Sequence, residues 1–167
     1  MRVEKTVRVK APANKVWDAF YDWGGVWRFQ PWVLQSPILG STTQGVGASR
    51  RCEFVDKTSI VETITRIEEG RIIEMSLTET PKPMKGGKAV IILTPRDSST
   101  DVTVSMDVAL GLGPLNPIMG NLMMKPMMKT RISKMLESLE YHLQTGGKID
   151  SKGVKQSKQK LELAMVV

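Results

Sequence analysis

The stretch NPIMGNLMMKPMMKTRISKMLESLEYHLQT, Asn116 to Thr145, organises the rest of the chain. It opens on Asn116 and Pro117, an N-cap residue and a favoured first-turn residue. It closes at Gly146 and Gly147, which supply the left-handed conformation that ends helices. Between them Ile118, Met119, Leu122, Met123, Met127, Ile132, Met135, Leu136, Leu139 and Leu143 recur at three- and four-residue steps, the period of one buried helical face. Lys125, Lys129, Arg131, Lys134, Glu137 and Glu140 fall mostly off that face. A helix of this length spans roughly 45 Å, enough to cross a whole domain. Pro126 removes a backbone hydrogen bond inside it, which predicts a bend near Met123 to Met127. The methionines Met119, Met123, Met124, Met127 and Met128 have two readings. They are ordinary core, or one wall of an adaptable apolar cavity.

With 167 residues, 41% of them hydrophobic, the chain is expected to fold as one domain with a real core. It has no run of eighteen apolar residues, so no integral membrane association is expected. The start, Met1-Arg2-Val3-Glu4-Lys5, lacks the apolar core of a signal peptide. The single cysteine, Cys52, excludes an internal disulfide and metal sites built on several thiolates. A reduced, cytoplasmic setting is expected, with no metal and no cofactor. The net charge is +7, but from Lys148 onward five lysines face only Asp150 and Glu162. The first 147 residues therefore carry only +4, scattered and with few aromatics among the basic residues. A nucleic-acid partner needs a localised basic stripe and is not expected.

Residues 2–10 alternate as a strand with one wet face. Ala11-Pro12 breaks it, and Val16, Trp17, Phe20 and Tyr21 mark one side of a short helix ended by Gly24-Gly25. A second short turn, Val26 to Phe29, leads to Pro31. Trp23, Trp27 and Trp32 cluster here, as large rings do in a core or at a cavity rim. Six more strands are predicted near 33–39, 45–55, 59–67, 71–79, 87–95 and 101–109, joined by the short breaks of antiparallel neighbours. A seven-stranded sheet with one apolar face needs a cover, and the long helix is the only element large enough. From Lys148 the composition is polar and lysine-rich, which predicts a mobile tail. Its apolar end, Leu161 to Val167, is unusual for a free tail.

This order resembles the START-like, helix-grip superfamily (SRPBCC), which includes the birch-pollen-allergen-like proteins and the polyketide cyclase/dehydrase and lipid-transport group. The residues that carry the resemblance are Val7-Arg8-Val9-Lys10-Ala11-Pro12-Ala13-Asn14-Lys15-Val16-Trp17, Ser59-Ile60-Val61-Glu62-Thr63-Ile64, the Glu68-Glu69-Gly70-Arg71 turn and the final helix. It spans roughly residues 2–145 and rests on order and pattern more than on an invariant motif. The resemblance implies an α+β helix-grip fold: a curved seven-stranded antiparallel sheet around the long C-terminal helix, with two short helices after the first strand and a cavity between. Residues 1–147 form the domain and 148–167 the tail. Members bind lipids, sterols, polyketides or plant hormones, and a minority are enzymes.

Strand alternation then selects the side chains that face such a cavity. Cys52 and Phe54 point in and carry Arg50 with them; Ile60 and Ile64 carry Glu62; Ile73, Met75 and Leu77 lead to Glu79. With a three-residue turn at 56–58 and a four-residue turn at 68–71, Glu62 stands opposite Cys52 and Leu77, and Arg50 and Glu79 are its diagonal neighbours. One arginine and two carboxylates on an apolar wall are a structural ion pair, a wet strand end, or a polar anchor for a ligand. In an enzyme a crowded, desolvated carboxylate becomes a general acid or base. The residues expected to meet a ligand are Trp23, Trp27, Phe29, Trp32, Arg50, Cys52, Phe54, Glu62, Met75, Leu77, Met84, Met106, Met119, Met123 and Met127. Pro81 to Gly87 is an ordinary connection or a gate at the mouth. His142 serves the helix C-terminus rather than catalysis, and Gly45-Val46-Gly47-Ala48 lacks the Lys-Ser/Thr of a phosphate loop.

Three functions stay open. The first is a carrier of a small apolar ligand such as a lipid, isoprenoid or polyketide. The second is a polyketide cyclase or dehydratase using Glu62 or Glu79 as acid or base, with Arg50 polarising a carbonyl. The third is a protein-interaction module.

Overall fold

The computed structural model describes residues 1–111, 113–115, 118 and 120–163. The expectations for Asn116, Pro117, Met119 and the last four residues lie outside the described part. β1 (Arg2–Val9) is followed by α1 (Ala13–Tyr21) and a 3-10 turn (Trp23–Arg28). β2 (Val33–Gln35), β3 (Ile38–Leu39), β4 (Ser49–Phe54), β5 (Ser59–Glu68), β6 (Ile72–Thr78), β7 (Met84–Pro95) and β8 (Thr100–Leu110) complete one sheet. A π-helical turn (Gly120–Met124) runs into α2 (Lys125–Thr145). The strand order is β1-β8-β7-β6-β5-β4-β2, with β3 also paired to β4, and all pairings are antiparallel. The first strand thus closes against the last, and the long helix lies along β1.

The expected seven strands become eight because the 33–39 segment breaks at Ser36-Pro37. Pro37 has no amide hydrogen for the ladder. Ser36 turns inward instead and donates its hydroxyl to the Gly24 carbonyl at 2.6 Å. That bond fastens the 3-10 turn to the sheet edge.

The connection between β4 and β5 is wider than the sequence reading assigns: the last pair is Glu53 with Ser59, so five residues, 54–58, separate the paired positions instead of three. Asp56 Oδ1 accepts from the backbone and hydroxyl of Thr58, and Lys57 takes φ 67, which together close the wider loop. Pairing therefore shifts by two: Arg50 stands opposite Glu62, and Cys52 opposite Ile60. A shift of two preserves the facing of every side chain. The β5–β6 register places Glu62 opposite Leu77, as expected. Further along, β7 starts at Met84 rather than 87, and Gly87 is a necessity of that strand. A Cβ there would lie 2.2 Å from the Asp107 carbonyl oxygen of β8.

The helix ends where its sequence says it should. Gly146 takes φ 71 and its amide bonds the His142 carbonyl at 2.7 Å. At the other end Pro126 has no amide to offer the Leu122 carbonyl, and the irregularity appears as the π turn just before α2. A π turn holds one extra residue, so side chains before it rotate off the inner face. Leu122 and Met123 are 74% and 60% exposed. Met127 is exposed for a simpler reason: it precedes Met128 by one residue, a step of roughly 100° round the helix. The face that meets the sheet is Met128, Ile132, Met135, Leu136, Leu139 and Leu143.

The core joins this face to Trp17 and Phe20 of α1, to Trp23 and Val26, and to Ile64, Ile73, Leu93 and Val102 of the sheet. Each such fully buried side chain contributes about 1.5–3 kcal/mol before entropy is set against it. Beyond the helix the lysine-rich segment is folded. β9 (Lys148–Ile149) and β10 (Lys155–Gln156) form a hairpin, and α3 (Lys158–Leu163) follows. Lys148 is its anchor: Nζ donates to the carbonyls of Trp27 at 2.8 Å and Val33 at 2.7 Å.

Candidate functional site

Between the inner face of α2 and the concave side of the sheet lies a cavity of about 330 Å3. Met128, Ile132 and Met135 form its helical wall; Ile60, Met75, Leu77, Ala89, Ile91, Val104 and Met106 form the sheet wall. Phe20, Val26, Gln30, Trp32 and Val33 close one side. Asp56, Lys82 and Arg131, all exposed, border it as well and mark its open rim. The Pro81–Met84 segment belongs to that border.

Alternation along β4 and β5 sends Arg50 and Glu62 into this otherwise oily space, directly opposite one another. Nε and Nη2 of Arg50 both bond Glu62 Oε2 at 2.6 Å. Nη1 donates to the Trp23 carbonyl at 2.9 Å, and the guanidinium carbon sits 3.7 Å from the centroid of the Trp23 ring. A desolvated cation over an indole face gains about 2 kcal/mol. The Cys52 thiol donates to the same Glu62 oxygen at 3.4 Å. Burial, and then the negative charge of Glu62, pushes that thiol far above its ordinary range. Cys52 is a small buried donor, not a nucleophile. The other carboxylate oxygen, Glu62 Oε1, has no hydrogen-bond partner among the described residues.

Of the residues expected to meet a ligand, Trp32, Arg50, Phe54, Glu62, Met75, Leu77, Met84 and Met106 border the cavity. Trp23 and Phe29 do not: both are 1% exposed. Trp23 lies beneath Arg50, and Phe29 meets Phe20 edge-on and His142 at a tilt. Cys52 is sealed behind the ion pair. Trp27 borders a separate space of about 290 Å3 beside Lys148 and Leu161. Met123 and Met127 face outward for the reasons given above, and Met119 is outside the described residues. Glu79 leaves the cluster, because φ 48 just beyond β6 breaks the alternation that carries Met75 and Leu77 inward. It pairs with Arg51 at 2.8 Å, on the opposite face from Arg50. His142 Nδ1 bonds the Gly147 carbonyl at 2.9 Å, at the helix end where the sequence places it.

The sequence reading missed Gln30 and Arg131, and it named Met128 as core or cavity wall without including it among the residues that meet a ligand. Met128 was legible from its spacing with Ile132 and Met135. Gln30 was not, since it sits in an irregular turn with no period. Its Oε1 is buried without a partner among the described residues, as is Nε1 of Trp23.

A single antiparallel sheet curling round one long helix, with a cavity between them, defines the helix-grip class. The chain belongs to the polyketide cyclase / dehydrase and lipid transport family, whose model matches residues 1–144. No curated protein matches it in sequence. Among solved structures it is similar to the Zhui aromatase/cyclase of Streptomyces sp. R1128, with 18% identity, a TM-score of 0.71, and coverage of 86% of this chain and 93% of that one. A START superfamily protein from Mycobacterium smegmatis matches with 18% identity and a TM-score of 0.69, over 86% and 97% of the two chains. Ara h 8.0201 matches with 14% identity and a TM-score of 0.68, also over 86% and 97%. Among the described residues no helix is long and apolar enough to cross a membrane.

Proposed function

We propose that the protein binds a small hydrophobic molecule, of lipid, isoprenoid or polyketide type, in the cavity beneath α2. The observation that carries this reading is the cavity itself, about 330 Å3 of space bordered mainly by apolar side chains and reaching an open rim. A core of ordinary packing leaves few voids larger than a water molecule, and an apolar pocket with a few convergent polar groups is the usual form of a ligand site. The sulfur side chains Met75, Met84, Met106, Met128 and Met135 around it adapt to guests of varied outline. A reduced, cytoplasmic setting suits this reading, given a single buried thiol.

A second reading is a cyclase or dehydratase in which Glu62 acts as acid or base. The free Oε1 at the cavity wall favours it. The assignment of Arg50 as the group that polarises a carbonyl fares less well, since three of its five N–H groups already donate to Glu62 or the Trp23 carbonyl and the Trp23 ring covers its face. Native mass spectrometry of protein purified without detergent separates the two. A retained apolar mass is expected for the carrier. Protein that arrives empty, and turns over a polyketide-like test substrate until Glu62→Gln is introduced, would instead establish the enzyme.

A further inference from the structure

The cavity's polar end has a definite sign. Resting on the reading that this cavity holds a ligand, we propose that it selects apolar molecules carrying a hydrogen-bond donor, alcohols and phenols above all, through Glu62 Oε1. It discriminates against molecules that can only accept.

The main donors at this end point into the protein: three of the five N–H groups of Arg50 are engaged there. Arg50 gives Nε and Nη2 to Glu62 Oε2 and Nη1 to the Trp23 carbonyl, its face is covered by the Trp23 ring, and its side chain is 6% exposed. The Cys52 thiol proton goes to Glu62 Oε2. The Thr58 hydroxyl goes to Asp56 Oδ1 at 2.6 Å. Glu62 Oε1 remains, an acceptor on a side chain that borders the cavity and is 14% exposed. Gln30, on the same border, adds a carboxamide whose Oε1 is buried without a partner among the described residues. An amide serves either polarity, so Glu62 decides the sign. An acceptor without a protein partner on an otherwise apolar wall favours an occupant that donates to it over one that cannot. A ligand carboxylate brought to this end meets like charge.

The test is calorimetric titration of the full chain with β-naphthol and with its methyl ether. The two share a skeleton, and the ether keeps an acceptor oxygen while losing the proton. The naphthol is expected to bind about tenfold or more tightly than the ether, the usual worth of a hydrogen bond to a charged acceptor. In Glu62→Gln the amide oxygen faces Arg50 and the amino group faces the cavity, so the gap should shrink to within about twofold. If that variant does not fold, the paired replacement Arg50→Met with Glu62→Met leaves no unpaired charge and carries the same expectation. Equal affinities for the two probes in the native sequence overturn the donor rule and leave cavity binding intact. A gap that survives in a folded Glu62 variant overturns the assignment to Glu62. If neither probe binds, the cavity reading fails and this inference goes with it.

Discussion

Arg50 and Glu62 reach the same wall because each sits at an inward position of its strand, and strand alternation is readable without coordinates. Their distance apart was not readable. It depended on whether three or five residues separate the last paired positions of β4 and β5, and with the Asp56–Thr58 hydrogen bonds closing the loop the number is five. The result is a direct cross-strand ion pair. Two buried charges hold each other in place, and removing one strands the other. Arg50→Met is expected to destabilise the protein by about 3–5 kcal/mol, whereas Arg50→Met combined with Glu62→Met should recover most of that loss. Urea denaturation of both variants checks this, and equal losses would mean the pair is not coupled. Glu79 carries the opposite lesson. Its parity matches Leu77, yet one left-handed residue past the strand end sends it to Arg51.

At the scale of elements, the C-terminal helix is two different pieces. From Met128 onward its spacing predicts its contacts. Before that the π turn and Pro126 leave Ile118, Leu122 and Met123 exposed, though their apolar character places them with the core face. The hairpin β9–β10 is the reverse case, polar in composition yet anchored. Burial pushes the Lys148 amine down to about 8 from its ordinary 10.5. A lysine lowered in the folded state is fully charged in both states below about 8, so the cost of burying it is fully present there. As pH rises from about 8 to 10.5 the unfolded chain holds more protons than the folded one, and that cost is relieved. The neutral amine still has two hydrogens for the Trp27 and Val33 carbonyls. The stability of the native protein relative to Lys148→Met should therefore climb across that window. Urea midpoints of the two proteins measured side by side test it, and a flat difference would refute the buried-amine account.

For the whole molecule, the family model matches residues 1–144, and the segment from Lys148 lies beyond that match. Its attachment runs through Lys148 and through Ser138, whose Oγ accepts from the Ile149 amide at 2.9 Å. A chain ending at Gly147 is expected to fold cooperatively with its near-ultraviolet circular dichroism retained, at a cost of about 1–3 kcal/mol. Loss of that signal would make the extension part of the fold rather than an attachment to it.

By itself the sequence determined the order of the main strands and helices, the inward and outward faces of most strand positions and the helix end at Gly146, and it resembled the family whose model matches residues 1–144. The elements and faces follow from periodicity and from residues whose backbone preferences are strong and local. The tertiary structure alone decided that Arg50 faces Glu62 squarely, that Glu79, Met123 and Met127 leave the cavity, that Gln30 enters it, and that the lysine-rich end is folded. Those outcomes turn on loop length, one extra residue in a helical turn, and a buried amine finding two carbonyls more than a hundred residues away, none of which leaves a local signature in the chain.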